Sequence, residues 1–447
     1  MNADLRGWAN ILRAVSALVR RRYLWPTLMM PLVLGLAACG GGGGGGGGNG
    51  PGSKQLSLVI GNSLPLSGSS RPLGDSGRKA SDLALAQIKR AIGEADADHT
   101  VRTVSEDQGS DASTATASAG KLVNEDGASC LTGPWSSDAV EQAGKEIVIP
   151  AKVLEISPVP TSEGVADLND HDLVNSTALP ESVEGSALSK AIDRNLGGAQ
   201  GHSVNVAAAG GTYGNTLSQD FIHDWQGNDG TVSGQTVLAP PYSGQVQQIT
   251  TGSPNSIVIV DDLNGFSQLA PALSSSRSWD PSIAWGSDQL VSPALPGRVG
   301  ADAIEGMRAL APGIPEGEGS STAFAHDYKS ADPHNVKLAP FAAQEFDATV
   351  LCYLAAVAAG STDGQRMADH LIDITAPGGD QFTWQQLPEA IKALEDGKDI
   401  DYTGASGPID MGVHGNPTAG VFDVYRYSPR GLKIVDEVSV EKNPATP

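Results

Sequence analysis

Cysteine, aromatic residues and bases are all scarce in this sequence. Three cysteines in 447 residues exclude a disulfide-stapled scaffold. Aromatic residues make up only 5 %, whereas glycine alone numbers 55. Lysine and arginine total 29 against 51 acids, a net charge of −22. Five arginines and one acid fall in residues 1–38, so residues 39–447 hold 24 bases against 50 acids, a net charge of −26. A surface of that sign repels phosphate backbones and anionic membrane surfaces, which excludes nucleic acid as a partner. No HExxH, GxSxG, CxxC or phosphate-loop lysine occurs, and the eight histidines are scattered, mostly in loops. No cofactor or metal is implied, and an enzyme is not expected. Two strongly apolar stretches, 24–38 and 346–359, both fall short of the ~20 residues that cross a bilayer. The length favours two or three domains.

What is present at the N-terminus reads as an address. Arg20-Arg-Arg22 precedes the apolar stretch Leu24–Ala38, and small residues close it. Basic residues, a short apolar run and small residues describe a secretory signal. Its end, Leu36-Ala-Ala-Cys39-Gly40, resembles the bacterial lipobox, whose cysteine is acylated and becomes the first residue after cleavage. An ordinary signal with a chance cysteine is the plainer alternative. Residues 1–38 are therefore expected to be a lipoprotein signal peptide, with Cys39 the lipid attachment point. Gly40–Gly48 is an unbroken glycine run with no side chain to bury. Residues 39–54 read as a flexible tether, with a reach of roughly 20–24 Å. The chain is expected to be exported, anchored to the membrane and facing the periplasm or the cell exterior.

From Leu56 onward, buried-strand patterns alternate with helical ones. Leu56–Ile60 reads as a strand, followed by a Pro/Gly/Ser-rich loop and a helix carrying Ala80, Leu83, Ala84 and Ile88. Strands at 101–107, 128–132 and 153–156 alternate with helices at 112–124 and 138–147. The same grammar restarts after Asn175, with strands at 203–208, 231–237, 256–260 and 282–285 and helices at 182–196, 217–225 and 266–274. Such alternation implies an α/β fold with two doubly wound, parallel-sheet lobes. Phe346–Ala359 is apolar nearly all round and too short for a membrane, hence a core helix. Trp384–Glu395 is another helix. Residues 404–412 and 420–427 read as a closing hairpin.

Six short stretches, taken together and in order, resemble the type I periplasmic binding proteins, and within them the Leu/Ile/Val-binding family of transporter receptors. They are Leu64-Pro-Leu-Ser-Gly68 with Leu73-Gly74, Leu131-Thr-Gly-Pro-Trp-Ser-Ser137, Ser157-Pro-Val-Pro-Thr161, Thr212-Tyr-Gly-Asn215, Phe346-Asp-Ala348 and Gly404-Ala-Ser-Gly-Pro-Ile409. The resemblance implies two lobes joined by three hinge crossings around a central ligand cleft. Lobe one is expected at 55–174 plus 304–403, and lobe two at 175–303 plus 404–440, with a loose tail at 441–447. The lobes would close on a small-molecule ligand and present it to the membrane-spanning permease of an ABC importer. A monomer is expected.

An amino acid held in such a cleft needs donors for its carboxylate and oxygens for its ammonium. Ser136 and Ser137 stand where hydroxyl and N–H groups meet a carboxylate, although one of them also suits a helix N-cap. Thr161 and Tyr213 match the family's ligand-contacting Thr and lobe-two aromatic, or are an ordinary loop hydroxyl and a packing Tyr. Where the family carries its acid this chain reads Leu263-Asn-Gly-Phe-Ser267, with no carboxylate. Asp288, Asp262 or neither is left as the ammonium partner, and Leu73 stands where relatives carry an aromatic. Both departures open the ligand class to amides, urea-like compounds and small acids. Cys130 and Cys352 are expected in lobe one, either paired in an oxidising compartment or as two buried thiols. The rival to transport is a sensing lipoprotein that signals to a partner, and a structural envelope lipoprotein is a further alternative.

Overall fold

Strand β1 (Leu56–Leu64) is buried along almost its whole length, as a central parallel strand covered on both faces must be. The computed structural model describes residues 55–441 apart from 69, 160–164, 166–167, 315–318, 332–335 and 337. The expected signal peptide, the Cys39 tether, Thr161 and the tail from 442 lie outside the described residues.

The first pass of the chain runs β1, α1 (Arg71–Ala95), β2 (His99–Asp107), α2 (Ala112–Asn124), β3 (Cys130–Thr132), α3 (Ser137–Ala143), β4 (Leu154–Ser157) and β5 (Val174–Ser176). Its sheet is wholly parallel, in the order β2-β1-β3-β4-β5. The second pass runs α4 (Glu181–Leu196), β6 (Ser203–Ala209), α5 (Thr212–Gly227), β7 (Thr231–Leu238), β8 (Ser256–Val260), α6 (Leu263–Ser274), β9 (Ala284–Gly286) and β10 (Arg308–Pro312). These strands stand in the order β7-β6-β8-β9-β10, the same winding as the first sheet. Each sheet therefore reverses its strand order once, between β1 and β3 and between β6 and β8. In doubly wound sheets the crevice beyond the strand ends at that reversal is where ligands sit.

The chain then returns to the first lobe with α7 (Gly319–Ser330), α8 (Ala342–Ala359), α9 (Gly364–Leu371), β11 (Asp380–Thr383), α10 (Leu387–Glu395) and β12 (Ile400–Thr403). It crosses a third time to add β13 (Ala419–Ser428) and β14 (Gly431–Glu441), antiparallel, beside β10. Helix α8 lies on β1, β3 and β4 and is flanked by α1, α9 and α10, so it is buried on every side. That enclosure is why an 18-residue helix can be apolar all round without facing lipid. Among the described residues no helix is long and apolar enough to cross a membrane. Cys130 of β3 is bonded to Cys352 of α8, with Cα atoms 5.9 Å apart. The first lobe has one large hydrophobic core and a small separate cluster around Leu64, Trp135 and Phe341, and the second lobe has separate clusters of its own.

Three expectations are corrected. Residues 71–79 are not loop but the first turns of α1, because Gly74 and Gly77 serve close packing. A Cβ on Gly74 would stand 2.2 Å from Pro65 O, and one on Gly77 2.4 Å from the Trp135 ring. The return to lobe one does not begin at 304: β10 pairs with β9 and β13 in the second sheet, so the crossing follows Pro312, as the first follows Ser176 at the end of β5. The closing hairpin is β13–β14. Residues 404–418 form a loop with two isolated bridges, Thr403–Pro408 and Met411–Pro417.

Candidate functional site

The loop after β3 is fixed by its neighbours. Gly133 has φ +84°, and a Cβ there would lie 2.2 Å from Ser63 O, so glycine alone fits. Pro134 O accepts a hydrogen bond from Ser157 Oγ at 2.5 Å, and Gln108 Oε1 accepts from Trp135 N at 2.8 Å. These contacts deliver Ser136 and Ser137 to the strand-order reversal of the first sheet. Ser136 is the N-cap of α3, its Oγ accepting from Ala139 N at a long 3.4 Å. Ser137 is buried.

In the second sheet, β6 ends at Ala209 and the chain turns through Gly211, whose φ is +106°. A Cβ on Gly211 would lie 4.0 Å from Asp138 Oδ2, so the starts of α3 and α5 face each other across the two lobes. Tyr213, in the first turn of α5, donates its hydroxyl to Asp288 Oδ1 at 2.5 Å. Asp288 opens the turn after β9, is 1 % exposed, and also accepts from Gln289 N at 2.6 Å. Its own N–H donates to Glu184 Oε1 at 3.0 Å. The second oxygens of both acids, Asp288 Oδ2 and Glu184 Oε2, are buried without a hydrogen-bond partner.

Two buried acids side by side cannot both be ionised cheaply. Burial pushes the Asp288 carboxyl up to about 6, offset in part by its hydrogen bond from Tyr213. Burial and the charge of Asp288 push Glu184 well above its usual range, and Glu181 adds to the repulsion. Burial and the same acids push the Tyr213 hydroxyl well up, keeping it a donor. No lysine or arginine pairs with Glu184 or Asp288 among the described residues. The cluster is a set of acceptors without a cation.

The structure thus brings Tyr213 and Asp288 together. Asp262 is used otherwise: it is exposed and caps α6, its Oδ1 accepting from Asn264 N and Gly265 N at 2.6 and 2.7 Å. Its neighbour Asp261 is buried, pushed up to about 7 by burial, with Oδ2 unpartnered. Glu184 was missed by sequence reasoning. Its signal was position: it precedes Ala187, Leu188 and Ala191 at helical spacing and so belongs to the buried face of α4.

Two of the resembling stretches prove to be one latch. Asp347 in α8 accepts from Tyr402 Oη (3.0 Å), Ala405 N (2.7 Å), Ser406 N (2.8 Å) and Ser406 Oγ (2.6 Å). A Cβ on Gly404 would lie 2.3 Å from Asp347 Oδ2. Phe346-Asp-Ala348 and Gly404–Ile409 therefore pin the segment that leads into the third crossing.

A family model described as "Periplasmic binding protein" matches residues 57–426. The chemotactic signal transduction system substrate-binding protein BasB of Halobacterium salinarum is 24 % identical over 376 residues, covering 81 % of this chain and 85 % of that one. Among solved structures, the leucine binding protein LivK of Thermotoga maritima superposes with a TM-score of 0.67 at 18 % identity, covering 87 % of this chain and 99 % of that one. A solute binding protein of an ABC transporter from R. palustris, in complex with 4-hydroxybenzoate, also gives 0.67, at 14 % identity and 87 % and 99 % coverage. Both structures share the α/β fold, and their differing ligands show that the fold alone does not choose one.

Proposed function

Since the chain belongs to the family of periplasmic binding proteins, we propose that it captures a small polar ligand in the cleft between its lobes and presents it to the permease of an ABC importer. The ligand carries an ammonium or amide N–H group. The observation that carries this reading is the pair of unpartnered carboxylate oxygens, Asp288 Oδ2 and Glu184 Oε2, beside Tyr213 at the second sheet's C-terminal edge. Donors arriving there replace an unfavourable burial with charge-assisted hydrogen bonds. Ser136 and Ser137, at the facing edge of lobe one, offer hydroxyl and N–H groups to the ligand's acceptor end. Thr161 is a further contact from lobe one. A purely anionic ligand is disfavoured, because Glu184 and Asp288 repel it. Lobe closure turns about the crossings after Ser176, Pro312 and Met411.

The protein acts as an exported monomer held to the membrane through acylated Cys39, a binding protein rather than an enzyme. Mass spectrometry of the membrane fraction checks the anchor: Cys39→Ala should release the protein to the soluble fraction. The likeness to BasB favours a second reading, in which the liganded form signals to a chemotactic partner. Deletion of the gene separates the two, since transport predicts lost uptake and sensing predicts lost attraction with uptake intact.

Calorimetry in two buffers of different ionisation enthalpy tests the acceptor cluster. At pH 6 a cationic ligand should displace protons held by Glu184 and Asp288, so the measured heat depends on the buffer. A buffer-independent heat with such a ligand contradicts the role of the pair.

A further inference from the structure

A second concave site lies in lobe two, between the C-terminal half of α4 and the start of β10. It is a pocket of about 250 Å³ whose polar lining is Arg194, Asn195, Trp285, Arg308, Arg426 and Asp436, sharing no residue with the Glu184–Asp288–Tyr213 cluster. In a chain short of bases, three arginines line this one pocket. None of the three forms an ion pair among the described residues. Among the described residues, Arg194 donates to Glu437 O at 3.1 Å and Arg308 to Ser282 O at 3.1 Å.

The arrangement is costly in the free protein. Arg308 and Arg426 are direct cross-strand partners on antiparallel β10 and β13, where like charges destabilise a sheet. Partial burial and the charge of Arg426 hold the Arg308 guanidinium below its usual range. The Arg308 guanidinium lies over the Trp285 ring, 5.2 Å from its centroid. Trp285 is 2 % exposed, and its indole N–H has no acceptor. Buried donors almost always find one. Asp436 supplies the one negative charge of the lining. An adjoining pocket of about 370 Å³ shares Arg426 and adds Arg430 and Lys433 beside one acid, Glu305.

We propose that this pocket binds a phosphate-type oxyanion, held by Arg194, Arg308 and Arg426, with the Trp285 indole N–H as a further donor. Such an anion bridges the opposed guanidiniums and satisfies the orphaned donor in one step. The phosphate is either free in solution or the headgroup of an anionic lipid, and both present the same oxygens.

The test uses the whole purified protein, 15N-labelled, titrated with inorganic phosphate against chloride at matched ionic strength. The indole N–H resonance of Trp285, identified by Trp285→Phe, should shift saturably. Arg426→Ala should weaken the effect by roughly tenfold or more, the loss of one charged hydrogen bond. Phosphatidylglycerol vesicles form the second arm. Co-sedimentation that Arg426→Ala abolishes, without a response to free phosphate, assigns the headgroup as the source. An indole resonance unmoved by both, or an Arg426→Ala protein that responds like the wild type, overturns the proposal.

Discussion

The two lobes share one winding but differ in how they group their buried acids: lobe one ties Asp347 into a loop, and lobe two sets two under-satisfied acids side by side. In lobe one, Asp347 receives four donors on its two oxygens, while Glu345 Oε1 accepts from Thr132 Oγ1 at 2.7 Å and its buried Oε2 has no partner. In lobe two, Glu184 and Asp288 each keep an oxygen with no donor at the edge that faces the other lobe. A satisfied acid fixes a loop, whereas an unsatisfied pair waits for a cation. Glu155 in β4 goes further: neither oxygen has a partner, and burial, with the charge of Asp170, pushes it well above its usual range, so it keeps its proton. The disulfide and the enclosed α8 also belong to lobe one. The cross-link and the enclosed helix stiffen lobe one, and the contacting pair of under-satisfied acids lies in lobe two.

Removing the disulfide should have the largest effect on that contrast. Cys130 and Cys352 are 222 residues apart in sequence, and closing so long a loop constrains the unfolded chain by about 4 kcal/mol. Cys130→Ala with Cys352→Ala should lower the unfolding free energy from urea titration by that amount while leaving ligand affinity near its wild-type value. Next, Asp347→Asn should cost about 3 kcal/mol, since an amide oxygen cannot take the four donors and the third crossing loosens.

Asp288→Asn should act in the other direction. The folded carboxyl titrates at about 6 against an unfolded value of 3.8. The folded state keeps a proton that the unfolded chain releases, so this group's contribution is full below about pH 4 and lost as the pH rises through 6. The ligand-free wild type should therefore lose stability between pH 4 and 7, and Asp288→Asn should recover about 2 kcal/mol of it at pH 7.5. Urea titrations of the two proteins at pH 4.5 and 7.5 measure this, and a mutant less stable than the wild type at pH 7.5 breaks the comparison. The smallest effect is at the cap. Ser136→Ala should cost about 0.5 kcal/mol, the low end for an N-cap, because its bond to Ala139 N is long. A much larger loss of affinity than of stability in that variant would place Ser136 against the ligand.

The regular elements were legible because their periods are clean. Helix 112–124 and strand 256–260 coincide with their expected limits. Strands β5 and β10, of three and five residues, carry too little pattern to announce themselves. Gly404–Gly412 mimics a strand because Ala405, Ile409 and Met411 are apolar, but they fill the first lobe's core from a loop. The pairing of Tyr213 with Asp288 spans 75 residues and exists only once β6 and β9 lie in one sheet. Glu184 hid behind a generic feature, since acids in a first helical turn usually need no further reason than the helix dipole.

The measurement that bears most directly on the acceptor pair is a thermal-shift screen of wild type and Asp288→Asn, side by side, against amino acids, amides, urea and simple carboxylates at pH 7.5. A ligand at 100 times its dissociation constant adds about 2.7 kcal/mol, well within reach of the method. We expect the wild type to be stabilised by a compound bearing ammonium or amide N–H groups, and Asp288→Asn to lose that response while starting from a higher midpoint. Equal stabilisation of both proteins, or a response only to simple carboxylates, would contradict the account.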